Sequence, residues 1–487
     1  MNRKEVGTIQ KSLLWSGSSE MAVKLIVPIS NMLLARILTP EYFGVLAICI
    51  MVISFLDIIT DAGFGKYLVQ YDFKDENQRD ECANVAFWSN LALSFFLCAV
   101  VVVNSEWIAE LLGGKKYSTV ISVSCLQLVF TSMVSIQMGL LRRDFQFKKL
   151  FVARIGVTLV PLVVTVPLAL ITKSYWALII GNISGSVINA VILLLGSKWK
   201  PRLFYSFELL KQMFSFSFWS LCEALAHWFI FWVDTFIVVQ FYSSYYLGIY
   251  KNSANMIMSL IGMIIAATSP VLLSVLSRIK DEKEFYSIFL HIEKIIMYIL
   301  FPMGIGIFFY RETITTILFG AQWAEASNII GAWALMMVVS VVIYSFPAEA
   351  FKAKGIPKIL FFYQISYLAF LIPVCILTAK IDFWTFVYAR ALSIAVQVVL
   401  CMIFLHKFLH WNIVPFIKNM GKPAFASVSV LISCILFKKI LPGSFMLQIF
   451  SIFIIIVVYF AILYVFFKKD IMSTMKIIQE KKINKKV

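Results

Sequence analysis

WSGSSEMAVKLIVPISNMLLARILTPEYFG, residues Trp15 to Gly44, decides the fold because the chain carries it twice. Slid along by 204 positions, Trp219 to Gly248 reads WSLCEALAHWFIFWVDTFIVVQFYSSYYLG. Trp15-Ser16 returns as Trp219-Ser220, and Tyr42-x-Gly44 returns as Tyr246-x-Gly248 without a gap. The polar residues return one position out of step: Glu20, Lys24 and Asn31 in the first copy, Glu223, His227 and Asp234 in the second. At about 100° per residue, offsets of 0, 4 and 11 fall within about 40° on a helix, so each set forms one polar stripe. A repeat of this length sets the architecture before any single element is read. It predicts two homologous bundles, each opened by a membrane helix with a polar stripe.

The 487 residues are 61% hydrophobic and 14% charged, with mean hydropathy +0.88. No soluble fold hides that much apolar surface, so the composition predicts an all-α polytopic membrane protein. The net charge of +17 is then read as positive charge on cytoplasmic loops, not as a nucleic-acid surface, and no nucleic-acid partner is expected. Cys49, Cys82, Cys98, Cys125, Cys222, Cys375, Cys401 and Cys434 lie almost all in apolar runs without CxxC spacing. Neither disulfides nor a metal site are expected, and no cofactor. The polar, basic Met1–Lys11 stretch and the long run after it do not fit a cleavable signal.

Fourteen spans are expected: 12–38, 44–62, 83–104, 118–140, 151–172, 175–196, 213–240, 247–277, 286–310, 326–346, 358–379, 383–406, 421–440 and 446–467. With Lys358, Lys422, Lys438 and Lys439 at span ends counted to the loops they border, six cations lie within spans: Lys24, Arg36, Arg154, Lys251, Lys294 and Arg390. With the N-terminus inside, 30 of the 43 Lys and Arg fall on cytoplasmic segments and 7 on outside loops. That split predicts a multi-pass protein of the bacterial cytoplasmic (inner) membrane with both termini cytoplasmic. The expected organisation is a cytoplasmic N-terminus (1–11), an N-terminal six-helix bundle (12–200), a C-terminal six-helix bundle (201–410), helices 13 and 14 (411–467) and a basic cytoplasmic tail (468–487). Six spans separate the repeat copies, so both face the same way, related by an axis along the membrane normal. The tail is expected to lie near anionic headgroups.

Four segments carry a family resemblance: ARILTPEYFGVLAICIMVISFLDIITDAGFGKYLVQ (Ala35–Gln70), GLLRRDFQFKKL (Gly139–Leu150), GIYKNSANMIMSLIGMIIAATSPVLLSVLSRI (Gly248–Ile279) and LFGAQWAEAS (Leu318–Ser327). They resemble the polysaccharide-biosynthesis flippases of the Wzx type, within these most the branch of colanic acid and teichuronic acid export. The resemblance implies the fold shared by multidrug extruders and lipid II flippases, two six-helix bundles forming a V around a central cavity. It further implies an undecaprenyl-diphosphate-linked oligosaccharide as substrate, moved from the cytoplasmic to the outer leaflet. Membrane lipid, a polysaccharide polymerase and export machinery are the partners it suggests.

A charge at the bilayer centre costs about 2.5 kcal/mol or more, so such groups face protein, a partner charge or a watery cavity. Glu20 and Lys24 read equally as an intrahelical ion pair or as cavity residues. Glu223, His227 and Asp234 read either as a proton or sodium coupling site, with Asp234 foremost, or as partners of Lys251 or Arg154. Glu20 joins them as a coupling candidate. For a diphosphate the candidate cavity cations are Lys24, Lys251 and Arg390, the last with a guanidinium that forks onto phosphate. Arg36 and Arg154 follow, since both lie near span ends where snorkelling competes. Phe216, Trp219, Trp228, Phe231 and Trp232 read as packing or as a sugar-stacking face. Asp57 and Asp61 read as helix-end residues beside the GFG turn, and Pro28, Pro161, Pro167, Pro270, Pro302 and Pro373 as kink sites.

Three classes compete on these residues. A flippase needs cavity cations and a lateral opening for a lipid tail. An ion-coupled multidrug extruder of the same fold needs mainly carboxylates. A membrane glycosyltransferase or polymerase needs sizeable outside loops with catalytic groups, and the outside loops are short. No Gly-rich phosphate loop is present for ATP hydrolysis. The sequence therefore favours a transporter that moves lipid-linked oligosaccharide by alternating access, and not an enzyme.

Overall fold

The computed structural model describes residues 26–470 and Met472, apart from 277, 278, 280, 355, 357 and 441–444. Among them every regular element is helical. Twelve helices are long and apolar enough to cross a membrane. The span expected at 12–38 is described only from Ile26, as α1 (Ile26–Ile37). The span expected at 247–277 falls on α12 (Ser244–Leu276), outside those twelve, with residue 277 outside the described residues. Fourteen thus stays an expectation, while the polytopic all-α class is established.

Two compact units divide the chain, the first ending at Asn252 and the second starting at Ser253. In the first, α2 (Pro40–Asp61) begins a turn earlier than expected because Pro40 takes a first-turn position, where a missing N–H costs nothing. It ends on Ala62 and Gly63, both left-handed (φ 44° and 79°). This turn reverses the chain into α3 (Phe64–Gln70). Next come α4 (Glu76–Val103), α5 (Ser105–Leu111), α6 (Ser118–Ser124) and α7 (Leu126–Arg143). Asp75 caps α4 by accepting from the Gln78 amide at 2.7 Å. After α7 the chain forms α8 (Phe147–Val160), α9 (Val166–Thr172), α10 (Trp176–Gly196) and α11 (Phe207–Phe241). α7 is the centre of the unit and packs on α2, α3, α4, α8 and α10. Tyr67, Leu68, Val85, Phe87, Ile136 and Leu140 form one buried core there.

α11 opens the second repeat copy in sequence but packs on α2, α3 and α4. The repeat boundary expected after residue 200 and the packing boundary after Asn252 are therefore different divisions of the chain. The repeat also meets itself. A Cβ on Gly44 would stand 1.9 Å from the Ser244 carbonyl oxygen, and one on Gly248 would stand 1.8 Å from the Pro40 oxygen. Pro40 and Ser244 are a repeat pair, as are Gly44 and Gly248, so the crossing is reciprocal, as at a local two-fold. Backbones approach this closely only without side chains, the usual device of tight membrane-helix crossings.

The second unit holds α13 (Glu282–Phe309), α14 (Arg311–Leu318), α15 (Ala326–Ser340), α16 (Phe346–Ala353), α17 (Lys358–Ala379), α18 (Phe383–Leu392), α19 (Ile394–Leu409), α20 (Ile413–Ile440) and α21 (Phe445–Ile462). α13 lies against α15 and α20, α17 against α18 and α19, and α21 against α20. Asp382 caps α18 through the Trp384 and Thr385 amides at 2.8 and 3.0 Å. Hydrogen bonds from Thr385 and Trp384 hold its carboxyl below the usual range. Three π turns occur among the described residues, Pro161–Thr165, Val341–Ser345 and Leu463–Phe467, and the first two each end two residues before a proline, Pro167 or Pro347. A proline clashes with the carbonyl four residues back, and the widened turn relieves that clash. Pro167 was an expected kink site; Pro347 was not.

Candidate functional site

Two expected site residues are buried in the first unit. Asp234 of α11 is 3% exposed and Lys251 of α12 is 6% exposed. Asp234 accepts from the Tyr250 hydroxyl at 2.9 Å, the Thr235 amide at 2.7 Å and the Thr235 hydroxyl at 3.2 Å. The Lys251 ammonium donates to the Phe231 carbonyl at 3.2 Å and lies 4.2 Å from the Phe231 ring centre and 4.1 Å from that of Trp232. Beside it the Asn31 amide of α1 donates to the Asn252 side-chain oxygen at 2.7 Å. The seventh-helix aromatics thus serve partly as π faces for a buried cation.

The rest of the stripe is not uniform. His227 is exposed, and Trp228 turns inward to donate to Ser54 at 2.9 Å. Glu20 and Lys24 lie outside the described residues, as does the Glu223 side chain. Arg36 is exposed at the end of α1, and Arg154 is exposed on α8.

In the second unit Arg390 is 9% exposed. Its guanidinium donates to the Tyr367 hydroxyl at 3.2 Å and the Ser393 hydroxyl at 3.4 Å, and lies 5.5 Å from the Trp333 ring centre. Gln397 continues this polar seam, accepting from Ser340 at 3.2 Å through its side chain and from Tyr363 at 3.2 Å through its carbonyl.

A separate groove of about 700 Å³ runs between α13, α20 and α21. Ile299, Ile307, Val430, Ile455 and Phe460 give it an apolar wall, and Tyr464 and Lys468 stand in its lining. Near Lys468, Asp470 bridges Lys294 at 2.7 Å and Lys422 at 2.8 Å and accepts from Tyr298 at 3.1 Å. Lys294, an expected in-span cation, is therefore an ion-pair partner.

Sequence reasoning missed a polar seam in the first unit. Asp57 accepts from Thr131 at 2.6 Å, Ser94 and Ser132 share a bond of 2.9 Å, and Asp61 is bonded by Ser135 and the Gly63 and Gly65 amides. Asp61 is the helix-end residue expected, whereas Asp57 is tied into the helix packing. Thr and Ser in apolar runs were the available signal. Glu293 of α13 was missed entirely, although Lys294 beside it stood among the in-span cations.

Charge is segregated along the first unit. The loops following α3, α7 and α10 meet at one end: Arg143 donates to the Leu68 and Tyr71 carbonyls at 3.1 and 2.7 Å, and Lys149 to that of Gly196 at 2.7 Å. Lys66, Lys74, Arg79, Arg142, Lys148, Lys198, Lys200, Arg202 and Lys211 belong to the same segments. The opposite end carries Lys115, Lys116 and Lys173, with Arg36 nearby.

Comparison with known proteins bears on this arrangement. The Succinoglycan biosynthesis transport protein ExoT of Rhizobium meliloti (strain 1021) is 26% identical over 330 residues, 67% of this chain and 66% of that protein. The Lipopolysaccharide biosynthesis protein WzxC of Escherichia coli (strain K12) is 20% identical over 335 residues, 67% of this chain and 66% of its own. The Teichuronic acid biosynthesis protein TuaB of Bacillus subtilis (strain 168) is 20% identical over 362 residues, 73% of each chain. The matches to the first two span just under two thirds of those proteins. Among solved structures, the lipid II flippase MurJ in an inward closed conformation has TM-score 0.76 at 15% identity, covering 93% of this chain and 99% of that one. An inward-facing multidrug resistance MATE family transporter has TM-score 0.63 at 10% identity, covering 81% of this chain and 98% of that one. At such identities these two establish the fold alone. The model of the family described as "Polysaccharide biosynthesis protein" matches residues 33–328, more than half of the chain and every helix from α2 to α14, so this protein belongs to that family.

Proposed function

We propose that this protein is a flippase that moves undecaprenyl-diphosphate-linked oligosaccharide repeat units from the cytoplasmic to the outer leaflet by alternating access, for export of a surface polysaccharide. The observation that carries the reading is the apolar groove between α13, α20 and α21 with Lys468 in its lining. A polyprenyl chain matches such a wall, and an ammonium near it suits an anionic headgroup. Lys251 and Arg390, each buried among hydroxyls, amides or aromatic faces, are the diphosphate candidates, with Lys24 a third. Family membership and the transport and biosynthesis names of the relatives support the same substrate class. A multidrug extruder of this fold is the alternative; it has no need of a groove suited to a long lipid tail. The segregated charge supports a cytoplasmic-membrane location with both termini inside. A polymerase and export machinery would take the product onward.

The test is a leaflet-translocation assay in vesicles with defined lipid-linked oligosaccharides, with and without a proton or sodium gradient. The expected result is protein-dependent translocation of the lipid-linked substrate, faster with one gradient. Transport of small organic cations without translocation of the lipid would establish the extruder instead.

A further inference from the structure

Glu293 stands three turns into α13 and is 1% exposed. Both of its carboxyl oxygens are buried, and neither has a hydrogen-bond partner among the described residues. Tyr286 on its own helix and Cys401 on α19 are ionisable groups close enough to feel its charge. No described cation lies within ion-pairing distance. Lys294, one residue on, is held by Asp470 at 2.7 Å on another face.

Among the described residues the packed elements offer no countercharge, and His406 and Lys407 of α19 are exposed. α15 carries no ionisable residue between Ala326 and Ser340. The π turn after it contributes Tyr344, which is bonded by Gln364 at 3.2 Å and stacks on Tyr363. α20 contributes Lys422, engaged by Asp470 at 2.8 Å, and Lys418, which is exposed. Arg311 and Glu312 of α14 stand beyond the far end of α13. Lys354 pairs with Glu282 at the near end and covers Phe285.

An ionised carboxylate at Glu293 would carry an uncompensated desolvation cost; the neutral acid avoids it. A permanently neutral acid would serve no better than an apolar residue of the same size. Tyr286, two turns nearer the start of α13 on the same face, is half-exposed and donates to the Asn412 carbonyl. It gives the carboxyl a polar neighbour toward the membrane surface where α13 begins.

We propose that Glu293 is a proton-binding site of the second unit, loaded in this conformation, which exchanges its proton during the transport cycle. Binding of the proton stands on the geometry alone; the exchange rests on the transporter reading. A proton bound in one conformation and released in another biases the equilibrium between them.

Infrared difference spectroscopy of the full-length protein in lipid nanodiscs, wild type against Glu293→Gln, tests the binding. A protonated-carboxyl C=O band is expected at neutral pH in the wild type and is absent from Glu293→Gln. A carboxylate band in its place would overturn the proposal. Translocation of lipid-linked oligosaccharide by the same preparations across a range of external pH tests the exchange. Glu293→Gln, a fixed mimic of the loaded site, should keep its thermal stability and lose about 5–150-fold in rate, the span of a typical coupling energy. Its residual rate should ignore pH, while Glu293→Asp keeps the pH dependence. Glu293→Gln translocating at the wild-type rate with wild-type pH dependence would refute the exchange and leave the flippase reading intact. Wild-type vesicles that translocate nothing would refute that reading, and with it the exchange, while the infrared band still decides the proton site.

Discussion

Lys251 and Arg390 have different solvation problems. The lysine ammonium lies over two aromatic faces and donates to one carbonyl. The arginine fork instead meets two hydroxyls, Tyr367 and Ser393. Lys251→Gln and Arg390→Gln should each abolish polymer export with protein abundance maintained, and Arg390→Lys should fail as well, because a point charge cannot fork onto phosphate. Full export by all three variants would remove the diphosphate site. Removing a partner from a buried charged network can itself cost about 3–5 kcal/mol, so thermal stability is measured alongside. Asp234 separates its roles differently. If it couples transport to an ion, Asp234→Asn should fold normally yet lose gradient dependence; if it only holds α11 to α12 through Tyr250, Tyr250→Phe should lower stability as much. Intramembrane charge made these three residues legible in the sequence. Their surroundings were not, because Tyr250 reaches Asp234 and Lys251 reaches Phe231 only when α11 and α12 fold back on each other around Tyr242 and Ser243. Glu293 was illegible for the opposite reason: adjacent residues on a helix face different ways, so Lys294 never neutralises it.

At the scale of the element, the Tyr-x-Gly ending of the repeat was visible as a pattern, but its cause lies in three dimensions. Gly44 and Gly248 are where α2 and α12 cross backbone to backbone. An alanine methyl at either position would overlap a carbonyl oxygen that belongs to a helix and cannot swing aside. Gly44→Ala should therefore destabilise the protein by about 1–3 kcal/mol, the usual cost of overpacking, read as a lowered thermal midpoint in detergent. Gly248→Ala should behave alike. The double variant should cost less than the sum, since one methyl already separates the helices and the sites are coupled. An unchanged midpoint for either single variant would mean that the close approach is not required. The π turns were also beyond reach of the sequence. Proline announced a disturbance at Pro167, but whether a helix kinks or widens depends on the helix packed beside it. Here Gly181 of α10 yields that space: a Cβ on it would stand 2.0 Å from the Thr165 hydroxyl.

For the whole molecule, hydrophobicity made the class legible, because the bilayer leaves few alternatives: each span must be helical. The division after Asn252 was not legible, since it depends on which bundle α11 packs against, and an apolar helix face suits either. Orientation is expected from charge asymmetry and can be tested directly. Lys115 and Arg143 bound one candidate span, so Lys115 and the neighbouring Lys148 are expected on opposite membrane surfaces. All four test positions, Lys115, Lys439, Lys148 and Lys200, are exposed. Seven of the eight native cysteines are buried and Cys222 is partly so, which keeps the background of labelling low. With both termini inside, a membrane-impermeant thiol reagent added to intact cells should label cysteine placed at Lys115 or Lys439. It should reach cysteine at Lys148 or Lys200 only after the membrane is opened. The opposite pattern would invert the whole topology and, with it, the direction of the proposed transport. Labelling of Lys115 but not Lys439 from outside would mean that an odd number of crossings separates them, as when the nine candidate spans between them cross and α12 does not.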